Sequence, residues 1–531
     1  MKNISRLLAT VCCSSILLLP GCIEETIPTN TATSEQLGSS AKATEALLWG
    51  MPAFLNKHDA MGRDAHYDWG YGSLMHIRDV QTGDMAIAYS GYDQYSYWER
   101  NSYMGEGYIF AQFMWTYFWK FVQTSNNLIG AVNEETASEL QLGYLGVGHA
   151  FRALAYLDLA RSYEFLPNDK FTTNSAGKDI TNLTVPIVTE TTTEEEARNN
   201  PRVSRQQMFD FILADLDKAE QYIGKMQRPS KTLPDLVAVY GLKARLYMWV
   251  EDYANAKSYA RKAIDQGRYT PVTASEWLNP TTGFNDLNCN AWIWGAKTQK
   301  EDDVVQTGIV NWTSWASNEA VYGYSAAGPM SMVSASMYDR ISDDDFRKLS
   351  WKAPAGSALD GQNIYLDEWW GTQLPTYASL KFRPNEGEME DYNVGSSSAY
   401  PLMRIEEMYF IEAEAAAHLS PLEGKQLVED FMKTYRYDSY VCNVSRTEDV
   451  VDEIVFQKRV ELWGEGQAFF DIKRLNMPVI RKYENSNFRE DAQFNTTSRP
   501  AWMNYCIVRG EKNNNEALVD YENPDPSDCY K

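Results

Sequence analysis

Two stretches of this chain crowd aromatic rings among short polar side chains. Residues 89 to 103 (YSGYDQYSYWERNSY) set Tyr89, Tyr92, Tyr95, Tyr97, Trp98 and Tyr103 beside Asp93, Gln94, Arg100 and Asn101. Residues 311 to 324 (NWTSWASNEAVYGY) set Trp312, Trp315, Tyr322 and Tyr324 beside Asn311, Ser314 and Asn318. A sugar ring offers C–H faces that pack on flat aromatic side chains, and its hydroxyls exchange hydrogen bonds with amides, carboxylates and backbone groups. Both stretches therefore suit stacking of a glycan rather than covalent chemistry. The expected contact residues are Tyr89, Tyr92, Tyr95, Trp98, Asn101, Trp312, Trp315, Tyr322 and Tyr324, with Trp69, Tyr71, Trp369 and Trp370 as lesser candidates. Each ring has the alternative of packing its own loop or meeting a protein partner.

Catalysis would first be sought in residues 459 to 474 (RVELWGEGQAFFDIKR), since paired carboxylates carry out glycoside hydrolysis. Here Arg459, Glu461, Glu465, Asp471, Lys473 and Arg474 alternate in sign among Leu462, Trp463, Phe469 and Phe470 at helix and helix-end spacing. That pattern reads as an internal salt-bridge network fixing the C-terminal region. Asp343-Asp344-Asp345 lacks the spaced ligands and glycine of a calcium loop and reads as a solvated turn. Gly143-x-x-Gly146-x-Gly148 reverses the order of the dinucleotide fingerprint, follows no strand, and reads as close helix packing. His58, His66, His76, His149 and His418 show no metal-ligand pairing, and no nucleophile-elbow, phosphate-loop or His-Glu-x-x-His motif occurs. No catalytic residue, metal or cofactor is expected.

The chain has 531 residues, 44% of them hydrophobic, enough to bury one large core or two modest ones. Its 33 Tyr and 16 Trp exceed what a core uses, because their polar tips prefer wet surfaces, and this is the composition of a binding protein. The net charge of -23 argues against nucleic-acid partners. Lys2 and Arg6 precede an apolar run from Leu7 to Leu19, too short to span a bilayer, and Pro20, Gly21 and Cys22 follow. This is the layout of a secretory signal, and Leu19-Pro20-Gly21-Cys22 resembles a bacterial lipobox. Residues 1–21 are thus expected to be cleaved and Cys22 acylated, with 22–40 a polar tether and lipid the sole hold on the membrane. Cys289, Cys442, Cys506 and Cys529 are too widely spaced for zinc; one or two disulfides are possible, with no pairing given by the spacing.

Rigid elements must carry the aromatic loops. Helical periodicity is clearest over 115–131, 138–165, 204–226, 236–266, 400–419 and 448–466. Within 236–266, Ala244, Tyr247, Ala256 and Ala263 fall at the relative spacings that tetratricopeptide helix pairs reserve for small contacts and an aromatic, with Ala260 where a larger apolar residue is common. Residues 56–110, 270–330 and 350–400 are rich in Gly, Asn, Ser, Tyr and Trp and too long to be mere connections. Long aromatic loops on a helical scaffold are where binding resides.

The motifs RVELWGEGQAFFDIKR and, before it, LMRIEEMYFIEAEAAA (402–417) resemble the SusD/RagB family of outer-membrane nutrient-uptake lipoproteins. Arg459, Glu461, Leu462, Glu465, Gly466, Asp471 and Arg474 stand in the places of that family's C-terminal signature, and Ala468 departs from an Arg often found there. FRALAYLDLARSYE (151–164), SNNLI (125–129) and Asp345-Phe346-Arg347 match as well, and Glu24-Glu25 after the lipobox resembles a surface-export signal. The resemblance spans nearly the whole mature chain. It implies a mainly α fold of tetratricopeptide-like helix pairs (near 115–166, 204–268 and 400–466) packed against an irregular loop-rich half in a single 41–531 domain, with binding loops near 56–110 and 270–400. It also implies a cell-surface role: capture of oligosaccharide for a SusC-like TonB-dependent transporter, without enzymatic activity. Peptide uptake or protein docking on the same helices is the alternative.

Overall fold

The computed structural model describes residues 41–531; the signal, Cys22 and tether expected over 1–40 lie outside the described residues. The longer helices are α1 (Ala41–Leu55), α2 (Tyr71–Val80), α3 (Ile109–Gly130), α4 (Glu139–Tyr163), α5 (Arg205–Tyr222), α6 (Leu236–Trp249), α7 (Tyr253–Asp265), α8 (Ile405–Leu419), α9 (Pro421–Tyr435), α10 (Thr447–Glu461) and α11 (Ala468–Arg474). Their starts are written in the sequence. Ser138 and Ser204 form capping boxes with Gln141 and Gln207, and Asp235 and Asp252 accept from Ala238 N and Asn255 N.

From α3 to α7 each helix packs on the next, and α7 packs in turn on α8, which is followed by α9 and α10. The stack therefore runs past residues 266–404, which leave it after α7 and return at α8. Small residues set the spacing. A Cβ on Gly146 would lie 2.6 Å from Ile223 N and one on Gly143 2.5 Å from Met226 Cβ, so the glycine run is a helix contact, as its spacing indicates. Ala256, Ala260 and Ala263 form the fully buried stripe of α7.

Four short strands pin the excursions. β1 (Met85–Ile87) pairs antiparallel with β3 (Ser331–Val333), tying the 56–108 segment to the middle of 266–404. β2 (Trp292–Lys297) pairs with β4 (Ala399–Arg404), clamping that excursion where it returns. Three of the longer helices differ from the sequence reading. α2 lies inside the expected 56–110 loop, and every residue of it is buried. α1 and α9 are helices that the periodicity did not single out. The four cysteines among the described residues, Cys289, Cys442, Cys506 and Cys529, are free, so no disulfide links them to one another.

Two members of the charged block, Glu461 and Glu465, enter a buried network whose cations all come from outside the block, so its alternation marks a network but not the pairing. Arg404 reaches Glu406 at 3.0 Å, Glu461 at 3.2 Å and Glu465 at 2.9 Å; Arg436 reaches Glu461 at 2.6 Å; Arg347 reaches Asp345 at 2.7 Å and Glu461 at 2.9 Å; Lys381 reaches Glu465 at 2.7 Å. Four cations thus meet four carboxylates, and none of the eight residues is more than 6% exposed. Trp277 and Phe284 lie beneath them, with Lys381 4.7 Å and Arg404 5.2 Å from the Phe284 centroid. Arg459 turns outward to Asp84, and Asp471 pairs with Lys458 at 2.8 Å. Gly466 closes the motif: it sits in the left-handed region (φ 69°), its N–H donates to Asp79 Oδ2 at 2.9 Å, and a Cβ there would meet Met75 Cα at 2.8 Å.

Burial opposes ionisation of Glu461, yet Arg436, Arg404 and Arg347 hold it below the usual carboxylate range, whereas burial pushes Glu406 up. A depressed carboxylate stabilises the fold fully above its ordinary pKa of 4.5 and loses that contribution as pH falls below it. Glu461→Gln leaves three buried guanidiniums short of a partner and is expected to cost about 3–5 kcal/mol in chemical denaturation at neutral pH. The gap to wild type should shrink as pH falls below 4.5. A gap under about 1 kcal/mol, or one independent of pH, contradicts the network's role.

Candidate functional site

Three segments of the loop-rich half surface together. After β1, Ala88 N donates to Met330 O at 2.9 Å, and the chain turns through Gly91, whose φ of 83° suits a residue without a Cβ. The turn's Asp93 accepts from Tyr95 N at 2.8 Å. Beside it the short helix Gly323–Ala327 ends on left-handed Gly328, where an added Cβ would lie 3.2 Å from Ser90 Cβ. The third segment is the short helix Glu368–Gln373, capped by Asp367, whose Trp370 indole donates to Asn318 O at 3.0 Å. Ala88, Tyr365 and Trp370 pack on one small core of Met330, Leu374, Ala378 and Leu380, which fixes the segments relative to one another.

Three rings project from this face. Tyr89 is 73%, Tyr92 63% and Trp369 68% exposed. The Arg489 guanidinium lies 4.9 Å from the Tyr89 centroid and fixes that ring from one side. Asp93, beneath the turn, is pushed up to about 6 by burial, against the Tyr95 N–H, Arg489 and Arg100. Glu99 is pushed up to about 8 by burial and then by Asp93. Both carboxyl groups are enclosed, so they support the turn and present nothing to solvent.

The other expected contact residues fall elsewhere: Tyr95, Trp98, Asn101, Trp312, Trp315, Tyr322 and Tyr324 are buried. Trp315 stacks on Tyr324 at 3.8 Å and meets Tyr95 edge-on at 4.7 Å; Trp312 stacks on Tyr400 at 4.7 Å; Trp98 meets Phe110 edge-on at 4.9 Å. Tyr95 Oη accepts from the Trp69 indole at 2.7 Å, and Asn101 Nδ2 donates to Pro526 O at 2.6 Å. Their faces are taken by protein, and the expected ligand-facing role is corrected to that of a floor under the loops. Tyr324 stands at its edge, its hydroxyl bonded to the His66 ring. Tyr71 is bonded to Asp158 in the core.

A local signal could have separated the two groups. Tyr95 and Trp98, and again Trp312 and Trp315, are spaced i, i+3 around a short helical turn, so both rings of each pair point the same way, here inward. Trp369 and Trp370 are adjacent on a helix and point to different sides, so one is left outside. The Asp343–Asp345 run is tied to side chains: Asp343 to Lys348 at 2.8 Å, Asp344 to Ser439 at 3.1 Å, Asp345 to Arg347. Among the described residues, no three His, Cys, Asp or Glu side chains gather as a metal site would require, and no helix is long and apolar enough to cross a membrane.

Two family models match the chain, one described as SusD family over residues 362–525 and one described as starch-binding associating with outer membrane over residues 52–248. A SusD-like protein of Formosa agariphila is 22% identical over 411 residues, covering 69% of this chain and 72% of that protein. Similar solved structures include a SusD-like carbohydrate binding protein from Bacteroides vulgatus, with TM-score 0.69, 22% identity, and 90% of this chain and 97% of that one covered. Surface glycan-binding protein A from Bacteroides fluxus aligns with TM-score 0.62 and 16% identity over 91% of this chain and 99% of that one. At such identities the structural likeness establishes the fold.

The division between projecting and floor rings is measurable. Tyr89→Ala and Trp369→Ala should change stability by no more than about 0.5 kcal/mol, as surface substitutions do. Trp315→Ala and Trp98→Ala should each cost about 3–5 kcal/mol through the cavity they leave. Urea denaturation of the four variants decides it, and a Trp315→Ala protein as stable as wild type would move that ring out of the core.

Proposed function

The chain belongs to the SusD/RagB family, and on that premise we propose that it is a cell-surface lipoprotein that captures oligosaccharide for a SusC-like TonB-dependent transporter. The observation that carries the binding role is the trio of projecting rings, Tyr89, Tyr92 and Trp369, on two of the three segments anchored to one small core. Rings with open faces on a preformed support stack on sugar C–H faces at little ordering cost. Ser90, Gln94 and backbone groups of the same segments supply hydroxyl partners.

Turnover has no place in this reading. Glu461 and Glu465 are bound by Arg and Lys side chains in a closed interior, and Asp93 and Glu99 lie beneath the loop, so none of these four carboxyl groups is open to a bound sugar. Export and acylation at Cys22 rest on the lipobox and the charged, apolar leader before it.

Calorimetric titration with an oligosaccharide found by glycan array tests the site. Truncating Trp369 to Ala should cost about 2 kcal/mol or more of affinity, and Tyr89→Ala and Tyr92→Ala should weaken binding too, with stability unchanged. Because a neutral glycan offers no charge, affinity should hardly change between low and high salt. Full affinity in the Tyr89, Tyr92, Trp369 triple variant, or binding of peptides with steep salt dependence, would favour the peptide-uptake reading. Fatty-acid labelling of intact cells should be lost in Cys22→Ala, and an unlabelled wild type would remove the anchor.

A further inference from the structure

The C-terminal ends of α4 and α6, with residues of α8, α10 and α11, line a cavity of about 220 Å³ that shares no residue with the aromatic face. Seven of its lining residues are Arg or Lys and four are Asp or Glu, and with Asp158 and Glu414 behind the lining pairing two of the cations, a small excess of cations remains in a chain whose net charge is -23. Several cations are matched: Arg245 pairs with Glu407 at 2.6 Å, Lys458 with Asp471 at 2.8 Å, and Arg161 with Asp158 at 2.6 Å. Three are not fully used. Lys473 is buried and donates only to the carbonyls of Ser162 at 3.1 Å and Glu164 at 2.8 Å, with no carboxylate partner among the described residues. Arg499, half-buried, spends its Nε on Asn476 at 2.7 Å and likewise forms no ion pair. Arg474 is paired with Glu414 and Asp471 through Nη2, while its Nη1 is buried with no hydrogen-bond partner, in a side chain only 7% exposed.

We propose that this cavity binds a small oxyanion, a phosphate, sulfate or carboxylate group, held by Lys473, Arg474 and Arg499. Enclosed N–H donors left open are costly, and an oxyanion satisfies them with charge-assisted bonds. Water would satisfy the donors and leave the excess charge in place. Burial, and after it the guanidiniums of Arg499, Arg205 and Arg202, push the Lys473 ammonium well below its ordinary range, with Glu164 opposing, and a bound anion would reverse that push. The volume is several times a water molecule's share of about 30 Å³, room for an oxyanion and its remaining waters. Exposed Asn182 and Glu251 mark the mouth, with Arg499 beside them.

The test is calorimetry and thermal unfolding of the full chain with sodium phosphate, sulfate and acetate, each against chloride at equal ionic strength. The phosphate and sulfate arms probe tetrahedral anions and the acetate arm a carboxylate. At least one should give saturable heat and raise the unfolding temperature above the chloride control. Binding should weaken at least tenfold in Arg499→Gln, chosen because the residue is at the rim, and in Lys473→Gln, while Arg499→Lys stays within about threefold of wild type and Tyr89→Ala is unaffected. No saturable binding of any of the three anions, or binding retained in both Gln variants, overturns the proposal.

Discussion

Four buried cations and four buried carboxylates, closed off between the helix stack and the loop-rich half, are the constraint on which the rest of this molecule depends. Stripping water from each ion costs several kcal/mol, and the attraction offsets that only where the geometry is good and every lone pair is used. Glu461 at the end of α10 accepts from Arg347, Arg404 and Arg436, groups that come from the excursion, its return strand and the turn after α9. One carboxylate therefore fixes three separate chain segments at once, and the two halves have one arrangement in which the charges balance. A further buried cation holds the aromatic face. Arg481, fully buried, donates to the carbonyls of Val80 and Thr82 at 2.9 Å and to that of Glu99, gripping both ends of the segment that holds Tyr89 and Tyr92.

The helix stack was legible because its signals are local. Capping residues at Ser138 and Ser204, the glycine run of α4 and the alanine stripe of α7 each act within a few residues, and the observed helices follow them closely. α2 was hidden for the opposite reason. It is buried on every side, so it shows no polar face, and its Arg78 and Asp79 bond to Asp158 and Gly466, far away in the sequence. The charged signature was readable as a network, while the identity of its partners was not, since Arg347, Lys381 and Arg436 stand outside the block.

The site was legible as a composition and not as a surface. Tyr and Trp interleaved with polar residues mark both a binding loop and the aromatic floor beneath it, because a flat ring packs on another ring as readily as on a sugar face. Spacing on a helical turn puts Tyr95 and Trp98 on one side, and tertiary placement then decides that this side is enclosed while Tyr89 and Tyr92 project. The floor matters to function all the same. Stacked rings such as Trp315 on Tyr324 have little freedom to move, and a rigid support keeps the projecting rings ready for a ligand.

The central claim is that the loops bearing Tyr89, Tyr92 and Trp369 hold the glycan while the helix stack only supports them. Hydrogen exchange of the protein with and without a bound oligosaccharide tests this most directly. Added protection should fall on residues 88–94, 322–330 and 366–374 and leave 205–265 unchanged. Protection concentrated on the helix stack, with those three segments exchanging as in the free protein, would contradict the account.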